Sequence, residues 1–270
     1  MTVTSSDREA LAHGKITTKP LREQPKFPSW ALKLIMAVTG VLFGLFVIVH
    51  MVGNLKIFLN EEHFNAYAVF LRSVGAPAVP TEGVLWIFRI VLLVALILHV
   101  YGAFALHGRA RRSRGKFRRQ GMVSNWNTFT ARSMIVTGVV LLAFIIFHIM
   151  DLTLGVQPIA PQPFGHLDAE TISSMNPEAA AAALASAEHG GAYGNVIRSF
   201  SRPAVAIWYI IAQLALLMHL SHGLWTATSD LGITGHRWRK VLLFLSGLIP
   251  LLVVVGNISI PVAVLTGLVS

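Results

Sequence analysis

Residues 38–51 read VTGVLFGLFVIVHM, an apolar stretch with a histidine, His50, near its end. The stretch lies in a longer apolar run, about residues 31–55, and a helix of about 20 such residues crosses a bilayer. An imidazole is costly in hydrocarbon, so a histidine inside such a helix indicates a functional role. The stretch therefore predicts a membrane helix that carries a functional polar group.

Four further apolar runs are long enough to span, at about residues 83–107, 133–154, 203–228 and 241–268. Hydrophobic residues make up 54% of the 270-residue chain and charged residues 13%, a balance typical of a membrane protein. The sequence thus predicts an all-α integral membrane protein. Its domain is a bundle of five transmembrane helices at 31–270. The first apolar run is too long for the core of a signal peptide and has no small-residue cleavage pattern, so it is predicted to be retained. A polar tail, 1–30, precedes it, and the Ala-rich segment 177–188 is predicted as a short helix in an external loop.

The positive charge is unevenly distributed. Of the 22 Lys and Arg residues, 17 lie in the N-terminal tail to Lys33 and in the loops 108–132 and 229–240. Only four lie in the opposite loops, so the positive-inside rule puts the N-terminus in the cytoplasm and the C-terminus on the outer side of the membrane. The basic run 109–119 is either a topology signal that touches anionic lipid or a docking site for a soluble partner. Nucleic acid is not an expected partner, because no basic module with aromatic residues accompanies the run.

Histidines occur in four of the five spans, and their depths form two levels. Counted along each helix from its start, His50 and His148 lie towards the outside, whereas His99 and His219 lie in the inner half. The depths therefore favour two pairs, one near each face of the membrane. His222 also lies within the fourth span.

An internal echo supports this arrangement. Residues 136–149 read VTGVVLLAFIIFHI and repeat 38–51 at an offset of 98, with Val-Thr-Gly-Val, a Phe and the His in register. A weaker echo relates ALILH at 95–99 to ALLMH at 215–219. The second echo makes His219, rather than His222, the counterpart of His99.

Two axial histidines on facing helices are a common way to hold a b-type haem, and a bis-His iron carries electrons rather than binding oxygen. The chain has no cysteine, which excludes a thiolate haem ligand and a self-contained iron–sulfur site. Glycines in the first four spans leave room for a flat macrocycle or for close helix packing. They are Gly40, Gly44, Gly53, Gly102, Gly138 and Gly223.

Three other interpretations remain open. Buried histidines serve as proton relays in transporters and channels, although broken helices and paired carboxylates would then be expected. A membrane anchor without a cofactor is a second alternative. A third is a Rieske-type cluster, for which a partner chain would have to supply two cysteines.

The ordered motifs resemble a known family. HMVGNLKIFLNEEHFNAYAVFLRS from residue 50, WIFRIVLLVALILHVYGAFAL in the second span, FHIMDL in the third and HLSHGLWTATSDLG in the fourth are similar to one kind of cytochrome b. This is the single-chain, five-helix, di-haem membrane anchor of bacterial succinate:quinone oxidoreductases. The resemblance covers residues 30–268, and the long 155–202 outer loop and the N-terminal tail depart from it.

The resemblance implies two b-type haems, an outer one on His50 and His148 and an inner one on His99 and His219. It implies as partners a flavoprotein with FAD and an iron–sulfur protein, and menaquinone as the substrate. The implied role is anchoring and electron transfer in respiratory complex II of the tricarboxylic acid cycle. The direction is left open, so a fumarate reductase subunit is the alternative. No dinucleotide fingerprint occurs, so no dehydrogenase active site is expected on this chain.

Two further residues are candidates for a role at the cofactors. Arg89 lies just inside the outer end of the second span, where it is expected either to reach the interface or to contact a propionate of the outer haem. Asp151 is the alternative partner of Arg89. Trp30, at the inner boundary, is either an interfacial aromatic anchor or part of a quinone site.

Overall fold

The computed structural model describes residues 27–114, 125–161, 175–176, 179 and 191–270. Within them the secondary structure is helical and contains no strand, and five helices are long and apolar enough to cross a membrane. The all-α class and the five spans are therefore confirmed. Predictions for residues 1–26, for 115–119 of the basic run and for nearly all of 177–188 concern parts outside the described residues. The helices are α1 (Ser29–Asn54), α2 (Glu61–Ser73), α3 (Gly83–Arg114), α4 (Asn125–Leu152), α5 (Gly191–Phe200), α6 (Pro203–Asp230) and α7 (His236–Leu265).

The spanning helices α1, α3, α4, α6 and α7 differ in length from the apolar runs that predict them. Helix α3 continues through LHGRARRSR to Arg114, and α4 begins at Asn125, before the apolar run at 133. A helix already satisfies its own backbone hydrogen bonds, so it need not end where the chain leaves hydrocarbon. Hydrophobicity therefore predicts the membrane-embedded part of each helix and not its ends.

Helices α1 and α6 form the centre of the bundle. They pack against each other, α3 packs against α1, α4 packs against α6, and α7 packs against both α6 and α1. Neither α1 and α4 nor α3 and α6 are among the closely packed helix pairs. These helix pairs carry the facing histidines, His50 on α1 with His148 on α4 and His99 on α3 with His219 on α6. The two helices of each pair are therefore separated by a gap.

Two short helices close one end of the bundle, which we call the capped end. Asn60 caps the start of helix α2, and its side chain accepts a hydrogen bond from the backbone N–H of His63. Such an N-cap satisfies an otherwise free donor. A Cβ on Gly53 would lie 2.6 Å from the Tyr67 ring, so only glycine allows α2 to fold back against α1. Helix α5 packs against α2, α6 and α7, and an apolar cluster joins these helices at the capped end. The cluster contains Ile57, Phe64, Tyr193, Phe200, Tyr209, Ile260 and Val264.

The opposite end, which we call the basic end, carries Arg109, Arg111 and Arg112. Arg109 donates hydrogen bonds to the backbone oxygen of Phe27 at 2.7 Å and to Ser29 Oγ at 3.0 Å. Arg111 and Arg112 are exposed. Arg109 is therefore bonded to the chain at the start of α1, whereas Arg111 and Arg112 face solvent, and Arg112 Nε donates to the backbone oxygen of Gly108 in its own helix at 3.4 Å.

Candidate functional site

Towards the basic end, the imidazoles of His99 on α3 and His219 on α6 face each other. Their ring centroids are 6.3 Å apart and the rings are inclined by 55°. Each ring has a threonine beside its Nδ1: Thr39 Oγ1 lies 3.0 Å from His99, and Thr137 Oγ1 lies 3.2 Å from His219.

The two threonines determine which nitrogen of each histidine is free. Thr39 donates its hydroxyl hydrogen to the backbone oxygen of Ile35 at 2.7 Å, and Thr137 donates to that of Ser133 at 3.0 Å. Each hydroxyl oxygen is therefore left to accept the N–H of the imidazole Nδ1. In this tautomer Nε2 carries no proton, so its lone pair is available to a metal.

A glycine follows each threonine and lies against the same imidazole. A Cβ on Gly40 would lie 3.6 Å from His99 Cε1, and one on Gly138 would lie 3.4 Å from His219 Cε1. The Thr-Gly pairs at 39–40 and 137–138 therefore make equivalent contacts with His99 and His219. Both Thr-Gly pairs are in register in the echo, so the sequence shows that they recur. The spacing alone does not reveal which histidine each pair contacts.

The second pair lies towards the capped end, where His50 on α1 faces His148 on α4. The ring centroids are 5.9 Å apart and the rings are almost perpendicular, at 85°. Phe46 stacks on His50 at 5.3 Å, and Phe144 stacks on His148 at 5.7 Å. These phenylalanines are the ones in register in the echo. Each copy of the echo thus carries one histidine of this pair, His50 or His148. It also carries a Thr-Gly pair that contacts a histidine of the other pair, His99 or His219.

The two pairs lie at different depths in the bundle. On α1, Thr39, which contacts His99, precedes His50 by 11 residues. On α4, Thr137, which contacts His219, precedes His148 by the same number. At 1.5 Å per residue, both helices separate the two levels by about 16 Å.

The geometry of each pair fits a metal held between two imidazoles. A metal about 2 Å from each Nε2 would place the ring centroids about 6 Å apart, close to the 5.9 Å and 6.3 Å found here. Among the described residues, no group of three or more His, Asp or Glu side chains could hold a metal. Two imidazoles complete the coordination of an iron whose other four ligands come from a macrocycle. The residues therefore fit haem better than a bare ion.

The chain is similar to a curated protein, the succinate dehydrogenase cytochrome b558 subunit of Bacillus subtilis (strain 168). The two are 27% identical over 192 residues, which cover 71% of this chain and 74% of the relative. This similarity supports the family that the histidine motifs indicate. No protein-family model and no solved structure matches the chain.

The remaining candidate residues include His222 on α6 and Trp30 on α1. His222 lies on α6 and takes no part in either histidine pair. Trp30 lies at the start of α1 with 69% of its surface exposed. A cavity of about 340 Å³ at the basic end is lined by His236, Arg239, Lys240 and Leu243. Trp30 is not among the residues that line this cavity. A role of Trp30 in a quinone site stays a prediction.

Arg89 lies over the ring of Trp86, with its guanidinium carbon 4.9 Å from the ring centroid, a cation–π contact. The alternative pairing of Arg89 with Asp151 is wrong, because Arg202 at the start of α6 binds that carboxylate at 2.8 Å. The sequence places Arg202 far from Asp151, so folding alone brings the two together. Contact between Arg89 and a haem propionate remains a prediction.

Proposed function

We propose that the chain is the cytochrome b membrane anchor of a succinate:quinone oxidoreductase, with two bis-His b-type haems. The observation that carries the proposal is the double pair of imidazoles about 16 Å apart along the helices, in the same order as in the family. The similarity to a succinate dehydrogenase cytochrome b558 subunit supports it independently. The bound haems would supply one-electron redox chemistry at two depths.

The described residues of the chain would hold and orient the haems. Thr39 and Thr137 fix the tautomers of His99 and His219, and Phe46 and Phe144 support the rings of His50 and His148. The lipid-facing surfaces of α3 and α4 anchor the bundle, since little of either apolar segment is buried. Succinate oxidation would take place on a flavoprotein partner, and an iron–sulfur partner would pass electrons to this chain and on to menaquinone. The reverse direction uses the same path.

The test is a reduced-minus-oxidised optical spectrum of the purified complex, with haem quantified by pyridine extraction. We expect a b-type α band and two haems per copy of this chain. A complex that binds no haem would favour the cofactor-free anchor, and iron without haem would favour the Rieske-type alternative. A proton-relay transporter would also lack the b-type spectrum.

We further propose that the basic end faces the cytoplasm and docks the soluble subunits. The double variant Arg111→Gln, Arg112→Gln leaves the bonds of Arg109 to Phe27 and Ser29 intact. We expect this variant to hold less of the flavoprotein and iron–sulfur subunits on membranes, because an electrostatic contact loses complementary charges. Washing membranes at increasing salt should release the subunits at a lower ionic strength than in the unaltered protein.

Lys56→Gln is the control, because Lys56 lies at the capped end beside Tyr67. It should leave the membrane-bound fraction unchanged. If the double arginine variant retains its partners at every ionic strength, the run is only a topology signal.

We also propose that Arg89 contributes to the potential of the outer haem, held by His50 and His148. A nearby cation favours the added electron, so Arg89→Gln should lower the outer midpoint potential and leave the inner one almost unmoved. A unit charge about 10 Å away in a medium of effective dielectric 20 contributes between 1 and 2 kcal/mol, so the shift should be on the order of tens of millivolts. Potentiometric titration measures both haems. Equal shifts, or none, would leave Arg89 as an interfacial residue that stacks on Trp86.

A further inference from the structure

The carboxylate of Asp151, at the end of α4, is fully buried and receives three hydrogen bonds. Ser199 Oγ of α5 donates at 2.5 Å, Arg202 Nη2 at 2.8 Å and Tyr209 OH of α6 at 2.9 Å. A buried anion is stable only with this kind of pairing and hydrogen bonding. The carboxylate therefore occupies a built site that joins α4, α5 and α6.

Tyr209 connects this carboxylate to a candidate haem ligand. Its hydroxyl oxygen lies 3.4 Å from His148 Nδ1, at the long end of the hydrogen-bond range. Because the hydroxyl hydrogen points to Asp151, the oxygen is left to accept the N–H of His148. The ring of Tyr209 is 6% exposed, and Phe144, Phe147 and Phe200 surround it with centroids 4.7–6.1 Å away. Packing therefore holds the hydroxyl between the imidazole and the carboxylate.

Three of the four histidines have a hydroxyl group beside Nδ1, and these hydroxyl groups differ in where they donate their hydrogen. The partners of His99 and His219 are threonines whose hydroxyl hydrogens go to neutral backbone carbonyls. The partner of His148 is a tyrosine whose hydrogen goes to an anion. A carboxylate behind a metal-bound imidazole orients the ring and raises its basicity, and hydrogen bonds in series strengthen one another.

We infer that Tyr209 and Asp151 form a positioning relay that orients His148 and strengthens its electron donation to the outer haem iron. The inference rests on the proposed role of His148 as a ligand. Greater donation stabilises the ferric state, so the relay lowers the reduction potential of this haem. Arg202 and Ser199 hold the carboxylate in place and contact neither imidazole of the pair. Tyr209 and Asp151 are thus positioning residues that act through His148.

The experiment is Tyr209→Phe in the whole complex, which removes one hydroxyl and keeps the packed ring. We expect both haems to stay bound and the ferric-to-ferrous ratio of the outer haem, at a fixed potential, to fall about tenfold. For a one-electron couple this is a rise of about 59 mV in midpoint. The low-spin ferric EPR signal of the outer haem should move as well, and both properties of the inner haem should stay unchanged.

Thr137→Val is the matched control, because it removes the hydroxyl beside His219 and keeps the branched shape. It should shift the EPR signal of the inner haem only. If Tyr209→Phe loses the outer haem, the double variant Asp151→Asn, Arg202→Gln tests the same point, since it removes both charges together and keeps the tyrosine. It should also raise the outer midpoint.

The inference is overturned if these variants lower the melting temperature but leave the midpoint potential and the EPR signal of the outer haem unchanged. The network would then only stabilise the fold. The ligand assignment has its own test. If His148→Ala keeps the outer haem, the proposed function is wrong at that site. If His148→Ala loses the haem while the relay variants leave its potential unmoved, only the relay is wrong.

Discussion

Replacing one histidine of a pair by alanine is expected to remove one haem and leave the other in place. His99→Ala or His219→Ala should remove the inner haem, and His50→Ala or His148→Ala the outer one. Each substitution would delete one of the two proposed ligands of a haem, and the pairs share no imidazole and lie about 16 Å apart along the helices. The α-band amplitude and the extracted haem should each fall to about half in every variant, and potentiometry should show which component is lost.

His222→Ala is the matched control for His219→Ala, since the two lie within one turn of α6. It should retain both haems. If His222→Ala abolishes the inner haem while His219→Ala retains it, the assignment on α6 is wrong. If any single substitution removes both haems, the two sites are not independent and the proposed arrangement fails.

Arg202→Gln is expected to have the largest effect on stability. It leaves the carboxylate of Asp151, which has no exposed surface, without its counter-ion. Removing one partner of a buried ion pair costs 3–5 kcal/mol, and about 3 kcal/mol is reasonable here because 30% of the Arg202 side chain is exposed. The melting temperature of the purified complex should fall by roughly 5–10 °C.

Arg72→Gln is the control for this measurement. Arg72 pairs with Glu82 at 3.2 Å at the same end of the bundle, but the Glu82 side chain is 25% exposed, whereas that of Asp151 has no exposed surface. Such a pair contributes about 1 kcal/mol or less, so the melting temperature should change little. Equal melting temperatures for the two variants would show that Asp151 does not depend on Arg202 for its stability.

The sequence determined the class of the protein and the number of its spans, because bilayer thickness translates directly into a length of apolar chain. It also pointed to His50, His99, His148 and His219, since a polar group in an apolar run is costly enough to stand out. The depths and the echo at an offset of 98 further indicated how the four would pair.

The tertiary structure decided what surrounds each histidine. Thr39 and Thr137 contact imidazoles that lie 60 and 82 residues away, and Tyr209 joins His148 to Asp151 across 61 and 58 residues. In a sequence, a threonine whose hydroxyl bonds only its own helix looks the same as one whose hydroxyl also bonds a histidine. Only the packing of the helices brings the histidine near. The same reason explains why Asp151 pairs with Arg202 rather than Arg89. Hydrophobicity acts on each segment separately, whereas an ion pair or a hydrogen bond depends on which faces of two helices meet.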